Sequence, residues 1–125
     1  MGLLGGILGN ASEISRESVI KDFGKLFWNG ETVQKAYKLI RDTLIFTDKR
    51  LIMIDVQGAT GKKIEYHSIP YKSITHFSVE SSGHFDLDSE LKIWISGIAE
   101  PIEKQFSKGV NIYEIQALLA EVVCR

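Results

Sequence analysis

The 125 residues, 44% hydrophobic and 25% charged, suffice to bury one core and fit a single globular domain. A net charge of −1 argues against a generic nucleic-acid binder or polybasic membrane binder, and the lone Cys124 excludes an internal disulfide, so a reducing, cytoplasmic setting is expected. The apolar opening is far shorter than the roughly 20 residues a membrane-spanning helix needs.

Residues 1–10, MGLLGGILGN, carry Leu3, Leu4, Ile7 and Leu8 among glycines and read as a flexible or subunit-packing arm. The basic region and cleavage site of a secretory signal are missing, and Gly6 stands where a myristoylation signal needs Ser or Thr. A helix is expected over 11–28, capped by Asn10 with Glu13 three residues on; Val19, Phe23, Leu26 and Phe27 then form one apolar stripe. Trp28-Asn29-Gly30 supplies its stop, with Phe23, Phe27 and Trp28 assigned to the core.

From 31 to 107 the pattern turns to short runs with alternating apolar residues, the signature of strands. The run at 31–40 alternates imperfectly, with Val33, Tyr37 and Leu39 on one side and Ala36 and Ile40 on the other. Thr43 to Gly58 is the clearest hairpin: two runs rich in branched residues flank a polar knuckle, Asp48-Lys49-Arg50. Its second strand sets Ile52, Ile54 and Val56 against Leu51, Met53 and Asp55, so both faces are expected to be covered. Further strands are expected at 63–70, 73–80, 91–95 and 102–106, with Trp94 and Lys92 facing outward from Leu91, Ile93 and Ile95. Asn111 then caps a closing helix over 111–124, whose apolar face is Ile112, Ile115, Leu119 and Val122. No helical crossover separates any two strands, which excludes a parallel sheet and predicts an antiparallel barrel or sandwich of seven strands, capped by the C-terminal helix.

Charge is unevenly spread. Residues 35–72 hold eight Lys and Arg against four Asp and Glu, whereas residues 73–125 hold four against eight. Opposite halves of neighbouring copies would attract, as a head-to-tail contact requires. Catalytic signatures are missing: there is no nucleophile elbow, metal-protease helix or phosphate-cradling glycine loop, so neither enzymatic activity nor a cofactor is expected. His84, Asp86 and Asp88 alternate in an extended stretch and form the most metal-like cluster, yet Ser89-Glu90-Leu91 does not continue the frame of a calcium loop. A polar surface that meets a protein is the better reading, and no metal is expected. His67 and His76, each beside an aromatic residue on a strand, read as hydrogen-bonding surface or interface residues.

The segments FTDKRLIMID (46–55), EYHSIPYKSITHFSVE (65–80) and GHFDLDSELKIW (83–94) occur in an order that resembles the bacterial pleckstrin-homology-like family of stand-alone domains. That resemblance implies a non-enzymatic module which forms a cyclic homo-oligomer and mediates protein contacts. The polar stretch His84, Asp86 and Asp88, through which the resemblance runs, is expected to be a contact surface for another copy or an unidentified protein, as are the outward Trp94 with Lys92 and, on the basic half, Lys49 and Arg50. The alternative that the resemblance implies is a peripheral membrane adaptor that clamps lipid phosphates near its first hairpin, where Lys35, Lys38 and Arg41 stand. Pleckstrin-like domains also accept a peptide strand along a sheet edge beside the terminal helix.

Overall fold

A computed structural model describes residues 13–60, 62–81, 89–106 and 109–124. The arm at 1–10, the Asn10 cap and the site candidates His84, Asp86 and Asp88 lie outside these residues. The chain is mainly antiparallel β with one helix before the long strands and one after, in two compact units, residues 13–70 and residues 71–124.

The first unit is a five-stranded meander, β1 (Glu13–Ile14), β2 (Val33–Lys38), β3 (Thr43–Thr47), β4 (Arg50–Gln57) and β5 (Lys63–Pro70), in spatial order β1-β2-β3-β4-β5. Helix α1 (Arg16–Phe23) lies between β1 and β2 in sequence and continues as a 3₁₀ turn over Gly24–Leu26. The expected helix is therefore shortened at its start. Glu13 and Ile14 pair with Tyr37 and Ala36 as a strand, and Ser15, not Asn10, is the cap, its hydroxyl accepting from the Ser18 N–H at 3.1 Å.

Imperfect alternation in β2 has a local cause. The register shifts between Val33 and Lys35, a bulge that returns Val33 and Ala36 to the same side. Both join Ile45, Ile52 and Ile54 in a buried cluster under Val19, with Ile14, Phe23, Leu26 and Phe27 packed against it. Thus α1 covers one face of the central hairpin. On the other face Tyr37 meets Phe46 edge to face at 6.2 Å, and Leu44, Leu51 and Met53 are buried as well. Residues on both faces of the hairpin are therefore buried.

The second unit holds β6 (Ile74–Glu80), β7 (Ser89–Ile95) and β8 (Ile102–Phe106) in that spatial order, preceded by a 3₁₀ turn at Tyr71–Ser73 and closed by α2 (Ile112–Val123). Asn111 caps α2 as expected, its side-chain oxygen accepting from the N–H groups of Tyr113 and Glu114. Ile115, Leu119 and Val122 are its buried stripe. Among the described residues the strands form two separate hydrogen-bonded sheets of five and three, rather than seven strands closed into a barrel; the additional strand is the two-residue β1.

Candidate functional site

The outward face of the three-stranded sheet follows from register. Phe77 opposite Ile93 and Val79 opposite Leu91 form the inner face, which leaves His76, Ser78 and Glu80 on β6 and Trp94, Lys92 and Glu90 on β7 on the other. Trp94 is half-buried rather than fully exposed, because the His76 ring lies on it at 4.3 Å and 16° from parallel. A bulge between Ile74 and His76 sets this register, and Thr75 locks it: its hydroxyl lies 3.2 Å from the Trp94 carbonyl and 3.1 Å from His76 Nδ1. The hydroxyl has one proton and the carbonyl can only accept, so the His76 Nδ1–H donates to Thr75. Lys92 Nζ stands 3.9 Å from Glu90, a loose surface pair. An aromatic side chain held flat by a stacked imidazole thus lies in the middle of a polar strand face.

The basic candidates on the first unit are differently placed. Arg50 is half-buried and engaged: Nε and Nη2 donate to the two oxygens of Glu31, both at 3.0 Å, Nη2 also to the Leu26 carbonyl at 2.7 Å, and Nη1 to Ser68 Oγ at 2.8 Å. Glu31, whose side chain is 1% exposed, further accepts from Thr47 Oγ1 at 2.6 Å and from the Trp28 N–H at 3.0 Å. Burial alone would raise the Glu31 pKa. The hydrogen bonds from Arg50, Thr47 and Trp28, together with the Arg50 charge, outweigh it and hold the pKa at about 2. Arg50 is thus a structural residue of this chain, whereas Lys49 beside it is exposed.

Lys35 and Lys38 project to opposite sides of β2, and Lys35 is bonded to Glu13 at 2.9 Å. Lys38 Nζ turns back to the Arg41 carbonyl at 3.3 Å, while Arg41 Nη2 reaches the Gly58 carbonyl at 2.7 Å. That last bond ties the β2–β3 turn to the β4–β5 turn and brings Lys62 and Lys63, absent from the expected set, to the same end of the sheet. Antiparallel meanders always return alternate turns to one end, so this neighbourhood was implicit in the strand order. Asp42 lies among these cations, its carboxylate accepting from the Val56 N–H at 3.2 Å.

Trp28 departs from its core assignment. It is 74% exposed, because its N–H and carbonyl are both used in a tight turn with Glu31, which sends the indole outward. Phe23 and Phe27 do pack on the core. Among the described residues no three His, Cys, Asp or Glu side chains are grouped to hold a metal, and no helix is long and apolar enough to cross a membrane.

Comparison with known proteins agrees with this architecture. A family model described as Bacterial PH domain matches residues 2–123. The chain is 57% identical to the uncharacterized protein YjqA of Bacillus subtilis (strain 168), over 98% of both chains. Among solved structures it is similar to the pleckstrin homology domain from Shewanella amazonensis SB2B, with 48% identity, TM-score 0.82 and 98% of both chains covered. It is also similar to a DUF1696 family protein with a pleckstrin-homology domain from Shewanella loihica PV-4, with 48% identity, TM-score 0.79, and 92% of this chain and 98% of that one covered. The chain is therefore a member of the bacterial PH domain family.

Proposed function

We propose that this chain is a non-enzymatic binding module of the cytoplasm that works by protein–protein contact, assembling with its own copies into a head-to-tail ring and presenting the Trp94 face to partners. The observation that carries this reading is Trp94 itself, laid on His76 in the middle of a polar strand face. Charge supports self-association: residues 13–70 hold ten basic and eight acidic side chains, and residues 71–125 hold five and eight. A ring-closing contact needs two unlike, complementary patches on each subunit, and units of opposite sign offer them.

Light scattering tests the proposal. The expected mass at low salt is a multiple of 14.0 kDa that falls when salt is raised and falls again in Trp94→Ala. A monomer at low salt would overturn it.

The Arg41–Gly58 bond favours one second reading, an anionic membrane surface met by Lys38, Arg41, Lys62 and Lys63 at the joined turns. Salt-sensitive sedimentation with anionic vesicles, abolished by Arg41→Glu, would select it over the protein scaffold.

A further inference from the structure

Strand β5 is an edge. It pairs with β4 along its full length, Lys63 opposite Gln57 through to Pro70 opposite Arg50, and among the described residues no strand is bonded to its other side. Seven of its eight residues are exposed. Unpaired N–H and C=O groups in such a row template another chain, and proteins usually blunt them with bulges, charges or proline. Here the register runs without a bulge, the charged Lys63 and Glu65 stand on the face turned away from α1, and Pro70 guards only the last position.

Ile64, Tyr66 and Ser68 share the side of the sheet occupied by α1, since they oppose Val56, Ile54 and Ile52. The helix covers Ile52 and Ile54 but leaves Tyr66 49% and Ile64 43% exposed, and its own Ile20 is 52% exposed. Between helix and strand runs a groove of about 610 Å³, lined by the apolar Ile20, Phe23, Leu26 and Tyr66 and by the charged Lys21, Asp22 and Lys25. Singly scattered apolar side chains are normal on a surface; several flanking one groove beside an open strand edge mark a docking surface.

We propose that this edge and groove receive an extended peptide of alternating apolar and acidic residues, added to the sheet as a sixth strand. The β5 backbone supplies the hydrogen bonds, and side chains on the α1 side of the peptide enter the groove beside Ile20 and Tyr66. Acidic residues follow from the charge of the groove's lining, where Lys21 and Lys25 outnumber Asp22. A lipid surface would cover the apolar side chains and leave the edge carbonyls and N–H groups unanswered, whereas a peptide strand satisfies both. This site goes beyond the Trp94 face and lies on the other unit.

Display selection on the full chain, with random peptides as long as the 8 residues of β5, supplies the probe. The expected winners alternate apolar and acidic residues, and the synthesised consensus peptide slows amide exchange in β5. Ile20→Glu and Tyr66→Glu, both at exposed positions, each weaken it about tenfold or more with unchanged melting temperature, whereas Tyr66→Phe and Trp94→Ala bind as wild type. Failure to enrich any alternating peptide, protection of β6 instead of β5, or wild-type binding by both Glu variants would overturn the proposal. Attachment of the chain to phosphatidylserine vesicles through Ile20 and Tyr66, with no peptide enriched, would replace it with a membrane contact.

Discussion

Arg50 grips Glu31 through two hydrogen bonds of 3.0 Å, and this one pair gathers the end of α1, the turn after it, the β3–β4 knuckle and strand β5. The carboxylate accepts four donors in all, enough to answer both of its oxygens, so the charge tolerates its burial. Because the folded pKa of about 2 lies below the ordinary 4.5, the ionised form stabilises the fold fully above pH 4.5. That contribution is lost as pH falls toward 2, and amounts to on the order of 3 kcal/mol. Urea titrations from pH 7 to pH 2 should show wild type losing stability across this window. Glu31→Gln should be about 3 kcal/mol or more weaker at pH 7, because it strands Arg50, with the gap narrowing toward pH 2. Parallel curves at all pH values would contradict the pKa assignment.

Arg50→Lys should not rescue the site. A single ammonium cannot span the Glu31 carboxylate, the Leu26 carbonyl and the Ser68 hydroxyl, all of which the guanidinium reaches at once. About 2 kcal/mol of lost stability is expected in urea. Lys49→Ala, one residue away and exposed, should stay within about 0.5 kcal/mol of wild type.

The contrast between Lys49 and Arg50 shows where reading from sequence stops. Strands β2 to β8 fall at their expected runs, with β4 starting one residue earlier at Arg50 and β7 two residues earlier at Ser89, because alternation and turn residues are local signals. The partner of Arg50 is 19 residues away in sequence, and nothing near either residue announces it. Strand β1 was hidden for a different reason: two residues are too few for a pattern, and Asn10 and Glu13 have the composition of a helix cap. Parity put Trp94 on the polar face of β7, whereas the stack on His76 depends on a bulge that shifts β6 by one position. The arrangement of His84, Asp86 and Asp88 lies outside the described residues.

Trp28 offers a direct check on that distinction. A core tryptophan replaced by alanine costs about 3 to 5 kcal/mol, but one with most of its surface already in water has little burial to lose. Trp28→Ala should therefore leave the urea midpoint unchanged within the equivalent of about 0.5 kcal/mol. A core-sized loss would mean that the indole packs where the turn geometry says it points away.

Two glycines at either end of the Gly24–Gly30 segment should respond to alanine with opposite signs. Gly30 closes the Trp28–Glu31 turn at φ +93°, a left-handed conformation that side chains disfavour, although an added Cβ would meet nothing within 4 Å. The cost of Gly30→Ala is therefore purely one of backbone, about 1 to 2 kcal/mol, and it should loosen the turn whose Trp28 N–H serves the Glu31 carboxylate. Gly24 ends α1 at φ −55° and ψ −28°, ordinary helical values, and its added Cβ would make a normal contact with Ile20 Cγ2 at 3.6 Å. Alanine there restricts the unfolded chain without straining the folded one, so Gly24→Ala should raise stability by about 0.4 to 1 kcal/mol. Urea midpoints of the two variants, displaced to opposite sides of wild type, would verify both conformations; a shift of the same sign in both would contradict one of them.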